Sequence, residues 1–309
     1  MVKIKKIRQL KSTDCIFDSP YDLIFCGLSI DDRTTHINEL INKNCRSESI
    51  YKVKIDIERY SLCFNDEALP ILNLSDFFVS KVTTETNIRV LIEATSLDFS
   101  EILYLLHGLK VLEGKIELVL SYLEPEDYSN ANTHLKEKEE FLLSESQQKF
   151  IGLPLFSVNN QDNERSHLIA LLGFENNRLG QVLEEYDGAS FSNLISMVGI
   201  PAFNPGWENR SIHRHIEYFD NIRTSLHSYP ATNPYELNLV LEKFYDAYQK
   251  VVIASMGTKP AAIAACVFLV NNAPNNTRQK YVGAIYDFPN KSKGRSVGVG
   301  EKFMYELVL

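Results

Sequence analysis

The sequence lacks the features that define several common classes of protein. Its five cysteines form no CxxC pair, and neither an HExxH motif nor a GxxxxGK[ST] loop occurs. These absences argue against a cysteine-rich zinc site, a metalloprotease helix and a Walker-type nucleotide loop. No run of about 18 apolar residues is present, and no signal peptide opens the chain. We therefore expect a cytoplasmic protein with reduced thiols and no membrane partner.

Positive charge is also scarce. The formal net charge is -8, and the only strongly basic run is the opening MVKIKKIRQLK. That run is too short for a duplex-binding surface, so we interpret it as a solvated first strand. Direct binding of nucleic acid is therefore not expected.

The histidines offer no metal site. His213 and His215 are two positions apart in a predicted helix, where side chains at that spacing point to different faces. We predict neither a bound metal nor a cofactor.

Short apolar strands alternate with helical patterns along most of the chain. Strands are predicted at 23–26, 88–94 and 251–254, and helices at 211–227 and 233–249. This alternation predicts an α/β fold with mainly parallel sheets, in two Rossmann-like halves.

A polar stretch separates these halves. Residues 1–125 are predicted to form the first Rossmann-like unit, and 126–164 a polar connecting excursion. Residues 165–309 are predicted to form the second unit, which carries a Gly-Thr-Lys-Pro loop.

The two halves open with similar segments. GLSIDDRTTHINEL (27–40) and LGFENNRLGQVLEEY (172–186) share a strand end, a glycine, a polar turn and a helix. Arg33 and Arg178 fall at the same place in both. Short β-loop-α units also converge on such patterns, so duplication and convergence both remain open.

The strongest functional signal is the sequence VVIASMGTKPAAIAACVFLV over 251–270. A buried strand is followed by Gly257, Thr258 and Lys259, and then by Pro260 in the first turn of a small-residue helix. Lys259 is electrostatically misplaced there, because the N-terminus of a helix is already positive. A bound phosphate would remove the conflict, since helix N-termini are anion sites; a solvent-facing lysine in an ordinary turn is the alternative.

This stretch resembles the [ST]GGTK-containing strand-to-helix loop of CARF domains. Gly257, Thr258 and Lys259 match that motif, and Met256 stands where the family has a second glycine. CARF domains are Rossmann-like sensors of cyclic oligonucleotides in bacterial antiviral defence. The resemblance implies a nucleotide or nucleotide second messenger as ligand, in a sensor or accessory subunit. It also implies a homodimer, with an effector protein from the same operon as partner.

Other polar residues follow the predicted strands, where ligands bind in open α/β sheets. Arg33 and Arg178 could hold a phosphate or pair with a carboxylate such as Asp98. Asp98 and Ser100 could hydrogen-bond a ribose or cap a helix. Asp31, Asp32 and Glu175 are further candidates for binding ribose hydroxyls.

Two other functions fit the same residues. A hydrolase acting on a nucleotide such as NAD would use Asp98 or Glu175 as its carboxylate. A scaffold subunit would instead bind a partner protein. The loop carrying Lys291, Lys293 and Arg295 could close over an anionic ligand or form a solvated turn.

Overall fold

The structure is a computed structural model. It describes residues 1–11, 16–17, 19–82, 87–128, 143–146, 149–158, 165–185, 191–219, 224–277 and 279–309.

Helices and strands alternate through most of the described chain. The helices are α1 (Asp32–Asn44), α2 (Leu74–Lys81), α3 (Phe99–Leu109), α4 (Asn176–Glu185), α5 (Trp207–Phe219), α6 (Pro234–Tyr248) and α7 (Lys259–Asn272). The strands are β1 (Lys3–Leu10), β2 (Leu23–Cys26), β3 (Ile50–Asp56), β4 (Ser61–Phe64), β5 (Glu67–Pro70), β6 (Ile88–Glu93), β7 (Ile116–Leu123), β8 (Asp127–Tyr128), β9 (Ser144–Ser146), β10 (Ile151–Gly152), β11 (Ser166–Leu171), β12 (Phe191–Gly199), β13 (Thr224–Tyr229), β14 (Lys250–Ser255), β15 (Tyr281–Tyr286), β16 (Asn290–Lys291), β17 (Ser296–Val297) and β18 (Lys302–Val308).

The chain forms two compact units. Unit 1 comprises Met1–Leu142 together with Lys291–Leu309, and unit 2 comprises Leu143–Asn290. These bounds differ from the sequence-based ones, which assigned the last residues to the second unit. The reason is strand pairing, because β18 lies between β1 and β7 in the sheet of unit 1.

Unit 1 is built on an eight-stranded sheet in the order β1-β18-β7-β6-β2-β3-β4-β5. The four central strands, β7, β6, β2 and β3, are parallel to one another. All four residues of β2 are buried, as expected for a parallel strand covered on both faces. Helix α3 is also almost wholly buried, which accounts for its run of leucines.

Unit 2 is built on a six-stranded sheet in the order β10-β15-β14-β11-β12-β13. All strands except β10 run parallel. Numbered along the chain, the parallel strands lie in the order 5-4-1-2-3, which read from the other edge is 3-2-1-4-5, the first five strands of the Rossmann order. Helix α7 is buried around its circumference, which explains why its sequence is apolar without a polar face.

The two units share a topology. In unit 1 the parallel strands β7-β6-β2-β3 reproduce the 5-4-1-2 part of the order found in unit 2. An antiparallel hairpin, β4–β5, follows where unit 2 has its third parallel strand. The predicted α/β fold with two Rossmann-like, mainly parallel halves is confirmed.

Some predicted elements differ from the observed ones. The helix predicted over 211–227 is wrong in its second part, because α5 ends at Phe219 and Thr224–Tyr229 is strand β13. Helix α6 agrees closely with the prediction over 233–249, and Asn233 caps it by accepting hydrogen bonds from Tyr235 and Glu236. Most of the excursion over 126–164 lies outside the described residues.

Within the described part of the chain, no helix is both long and apolar enough to cross a membrane. The cysteines described there, Cys26, Cys45, Cys63 and Cys266, are free thiols.

Candidate functional site

The Gly-Thr-Lys loop of unit 2 lies at the edge of the sheet where the parallel strands end, the carboxyl edge. It connects β14 to α7, and all three residues are partly exposed. Thr258 is the N-cap residue of α7, but its side chain makes no capping hydrogen bond. Pro260 contributes no N–H to the first turn. Thr258 therefore does not cap α7 in the way that Asn233 caps α6, and an external anion can accept hydrogen bonds from the N–H groups at this helix start.

Two glycines let the neighbouring loops meet at the base of this edge. Gly173 follows β11, and a Cβ atom there would collide with the carbonyl oxygen of Met256. A Cβ atom on Gly257 would lie 3.0 Å from the carbonyl oxygen of Leu172. The loops after β11 and β14 are thus in backbone contact where the strand order reverses, which is the ligand position in open α/β sheets.

Aromatic side chains adjoin the same loops. Phe174, directly after Gly173, is half-buried and packs edge-to-face on Trp207 with ring centroids 5.6 Å apart. Tyr229, at the end of β13, is buried beside Thr258. Burial raises the pKa of Tyr229. The edge beside the start of α7 therefore combines a helix N-terminus with aromatic surface.

Arg178, the second-half arginine, is neutralised by the protein itself. Its Nε atom donates to Asp287 Oδ2 at 2.7 Å, and Nη2 donates to Asp287 Oδ1. Nη1 lies 3.9 Å from Glu175 Oε2. Burial lowers the pKa of Arg178, but the Asp287 carboxylate outweighs it and the net shift is upward. This guanidinium is an internal tie between α4 and the end of β15.

Glu175 lies at the same carboxyl edge. Its side chain is buried and accepts a hydrogen bond from Ser144 Oγ at 3.1 Å. Unit 2 therefore brings together Gly257, Thr258, Lys259, Glu175 and Arg178, with the arginine charge already matched by acids.

Arg33 has an equivalent internal role in unit 1. Its Nη2 donates to Asp31 Oδ2 at 2.9 Å, its Nη1 to the carbonyl of Leu123 and its Nε to Ser296 Oγ. Burial raises the pKa of Asp31, but the charge of Arg33 and the hydrogen bonds from Thr34 and Ser296 outweigh it and lower that pKa. Of the two roles considered for Arg33, the structure therefore shows pairing with a carboxylate, and that carboxylate is Asp31, two residues away.

The remaining site candidates also belong to unit 1. Asp98 is the N-cap residue of α3, which is one of the two roles considered for it from the sequence. Its carboxylate also forms an ion pair with Lys291, with 2.6 Å between Oδ1 and Nζ. Ser100 is wholly buried in the first turn of α3. Asp32 Oδ2 accepts a hydrogen bond from the N–H of Gly298. These residues lie on a different sheet from the Gly-Thr-Lys loop, so the candidates do not share one sheet edge.

The segment Gly294–Gly298 spells GxSxG, the pattern of a nucleophile elbow. An elbow needs a strand-turn-helix setting, whereas Ser296 lies in the short strand β17 and the next element is strand β18. The Ser296 hydroxyl donates to Asp31 Oδ2 at 2.7 Å and is buried. Ser296 is therefore a structural serine.

Sequence reasoning did not find Asp287, Ser296 or Tyr229 as partners of the candidate residues. Asp287 is 109 positions from Arg178, and Ser296 is 263 positions from Arg33. No local pattern joins residues so far apart. Only the pairing of the strands brings them together.

No family model, no curated protein and no solved structure matches this chain. In the part of the chain that the structure describes, no group of three or more His, Cys, Asp or Glu side chains could hold a metal ion. The fold and its two carboxyl edges define an α/β protein with two Rossmann-type units.

Proposed function

We propose that unit 2 binds a phosphate-bearing nucleotide or nucleotide second messenger at the start of α7. The proposal rests on one observation: Lys259 begins a helix whose N-cap residue, Thr258, makes no side-chain capping hydrogen bond, and this helix starts at the point where the strand order reverses. A phosphate would accept hydrogen bonds from the backbone at Gly257, Thr258 and the first turn of α7. The Lys259 ammonium would add a charge-assisted contact.

The aromatic side chains favour a nucleotide over inorganic phosphate. Phe174 follows the glycine that contacts the Gly-Thr-Lys loop, and its ring is half-buried against Trp207. A base placed beside the phosphate would therefore meet an aromatic surface, and stacking of a base on an aromatic ring is worth about 1–3 kcal/mol. Glu175, the next residue along, is the candidate carboxylate for a ribose hydroxyl, which would replace the hydrogen bond from Ser144 Oγ.

The biological setting rests on the resemblance to CARF domains. By that resemblance the chain acts as a sensor or accessory subunit of a bacterial defence system, as a homodimer, and passes the signal to an effector protein from the same operon. Arg33 and Arg178 have no phosphate role in this proposal, because Asp31 and Asp287 already hold their charges.

The test is a thermal-shift panel of inorganic pyrophosphate, mononucleotides, dinucleotides and cyclic oligonucleotides on the wild type and Lys259→Ala. A ligand at a hundredfold its Kd stabilises the native state by about 2.7 kcal/mol. We expect one nucleotide class to shift the wild type and to lose its effect in Lys259→Ala. Lys243→Ala, which changes an exposed lysine on α6 of the same unit, is the matched control and should retain the shift.

The same samples separate a sensor from a hydrolase. Mass spectrometry shows whether the nucleotide is consumed, and Glu175→Gln shows whether its carboxylate is needed. Asp98→Asn belongs to unit 1 and should leave such an activity unchanged. An absence of any shift in the wild type contradicts the nucleotide proposal and favours the scaffold function.

A further inference from the structure

The carboxyl edge of unit 1 is occupied by the chain's own segment 291–300. At its start, Lys291 Nζ lies 2.6 Å from Asp98 Oδ1 and donates to the carbonyl of Ser96 at 2.9 Å. Ser96 and Asp98 belong to the loop between β6 and α3. The ammonium therefore sits at the N-terminal end of α3, held by the acid that caps it.

The rest of the segment contacts the loops after the neighbouring strands. The N–H of Gly294 donates to the carbonyl of Ile30 at 2.8 Å, and Ser296 Oγ donates to Asp31. These contacts lie on the loop between β2 and α1. The N–H of Gly300 donates to the carbonyl of Glu124, directly after β7. The segment thus crosses the ends of β6, β2 and β7, where a ligand binds in an open α/β sheet.

The residues beneath the segment lose their contacts with Ser296 and Gly298 when it lifts, but they keep partners within their own loops. Arg33 retains Asp31 at 2.9 Å and the carbonyl of Leu123 at 3.2 Å. Asp98 retains its place in the capping box with Glu101, which accepts from the Asp98 N–H at 2.7 Å. Lifting the segment therefore breaks its contacts without leaving a buried arginine charge unmatched.

The segment itself is held mainly by polar contacts. Lys293 and Gly294 are exposed, and Val297 exposes 54% of its surface. Val299 is its partly buried apolar residue against the core. Segments with few buried apolar contacts open locally, well below the free energy of global unfolding.

We propose that residues 291–300 form a lid, the 291–300 lid, which covers the carboxyl edge of unit 1. The Lys291–Asp98 ion pair holds this lid closed. Opening uncovers Asp31, Asp32 and Asp98 at the ends of β2 and β6. The edge of unit 1 is then a second site, closed in cis by a lysine, distinct from the one proposed in unit 2. The charge is opposite too: α3 begins at an acid that takes an ammonium, and α7 begins at a lysine.

Hydrogen exchange on the full chain tests this lid. Lys291→Ala should speed amide exchange in peptides covering 292–300 by about tenfold, equivalent to about 1.4 kcal/mol. Exchange in β6 and β7 should stay at the wild-type rate. Lys293→Ala changes an exposed lysine in the same segment and should leave exchange of the lid unchanged.

Two outcomes overturn the proposal. In the first, amide exchange over 292–300 is equally fast in Lys291→Ala and Lys293→Ala, which shows that the ion pair does not hold the lid closed. In the second, β6 and β7 speed up together with the segment, which makes it part of the cooperative core. Asp98→Asn, which removes the charge of the other partner and keeps a residue able to cap α3, supplies the same readout should Lys291→Ala fail to fold.

Discussion

Arg178 and Asp287 form a two-point ion pair inside unit 2, joining the first turn of α4 to the residue after β15. The Asp287 side chain is inaccessible to solvent and that of Arg178 is nearly so. The pair holds the loops after the first and fifth parallel strands together. It explains why an arginine stands at a helix start, where its charge alone would be unfavourable.

Removing one partner of this pair should cost much more than removing a surface charge. Asp287→Asn leaves the Arg178 charge buried without its main counter-ion, and we expect a loss of about 3–5 kcal/mol in the free energy of unfolding. Urea unfolding followed by fluorescence of Trp207, the only tryptophan, reports on unit 2. Asp246→Asn, in the exposed pair with Lys280, is the control and should cost less than about 1 kcal/mol. Equal losses in the two variants would contradict the buried-pair argument.

The backbone contact at Gly173 predicts a strong dependence on side-chain size. In Gly173→Ala the new Cβ atom meets the carbonyl oxygen of Met256, a backbone atom that cannot turn aside. We expect a loss of about 1–3 kcal/mol, as for overpacked cores, measured by the same fluorescence-detected unfolding. Gly257→Ala is the graded comparison, because its Cβ atom would lie 3.0 Å from the Leu172 carbonyl oxygen and needs a smaller adjustment. A Gly173→Ala variant as stable as the wild type would contradict the close backbone contact between Gly173 and Met256.

Because the carboxyl group of Glu124 is buried, we expect the free energy of unfolding to decrease as the pH rises. Burial raises the pKa of this carboxyl group from 4.5 to about 8, against the opposing effects of the Tyr122 hydroxyl and Arg33. The folded chain therefore keeps a proton that the unfolded chain releases. The contribution of Glu124 to the free energy of unfolding is fully present below about pH 4.5 and is lost as the pH rises toward about 8.

Glu124→Gln should flatten this dependence, because its side chain stays neutral at every pH. The slope for one proton is up to about 1.4 kcal/mol per pH unit. Urea unfolding of the full chain, followed by circular dichroism between about pH 5 and 8, measures it. Glu48→Gln, at an exposed position of the same unit, should keep the wild-type slope. A wild-type slope in Glu124→Gln would show that another group carries the proton.

Local patterns were sufficient for the elements that bury apolar residues. The strand at 23–26 and the helix after Asn233 are predictable from residue type, because parallel strands are continuously apolar and Asn-Pro starts a helix. The helix predicted through 227 was wrong, since residues 224–229 form an edge strand with mixed burial. Such a strand lacks a clean period, and its identity depends on pairing with β12.

The candidate site was predictable only where its parts are close in sequence. Gly257, Thr258 and Lys259 are neighbours between a strand and a helix, so their placement at the carboxyl edge follows from the sequence. The loop that carries Lys291, Lys293 and Arg295 was expected either to close over an anionic ligand or to form a solvated turn, and its place in unit 1 was not anticipated. That place is decided by the return of β18 to the first sheet.

The sequence by itself determined the α/β class, the two strand-glycine-helix openings and the helix start at Lys259, because hydrophobic periodicity and capping act over a few residues. Only the tertiary structure decided which charges remain available to a ligand. Arg33 is neutralised by a close neighbour within unit 1, but Arg178 depends on an acid far along the chain, and Asp98 on a lysine that β18 carries back. Electrostatic pairing acts through space, and the order of strands in each sheet sets those distances.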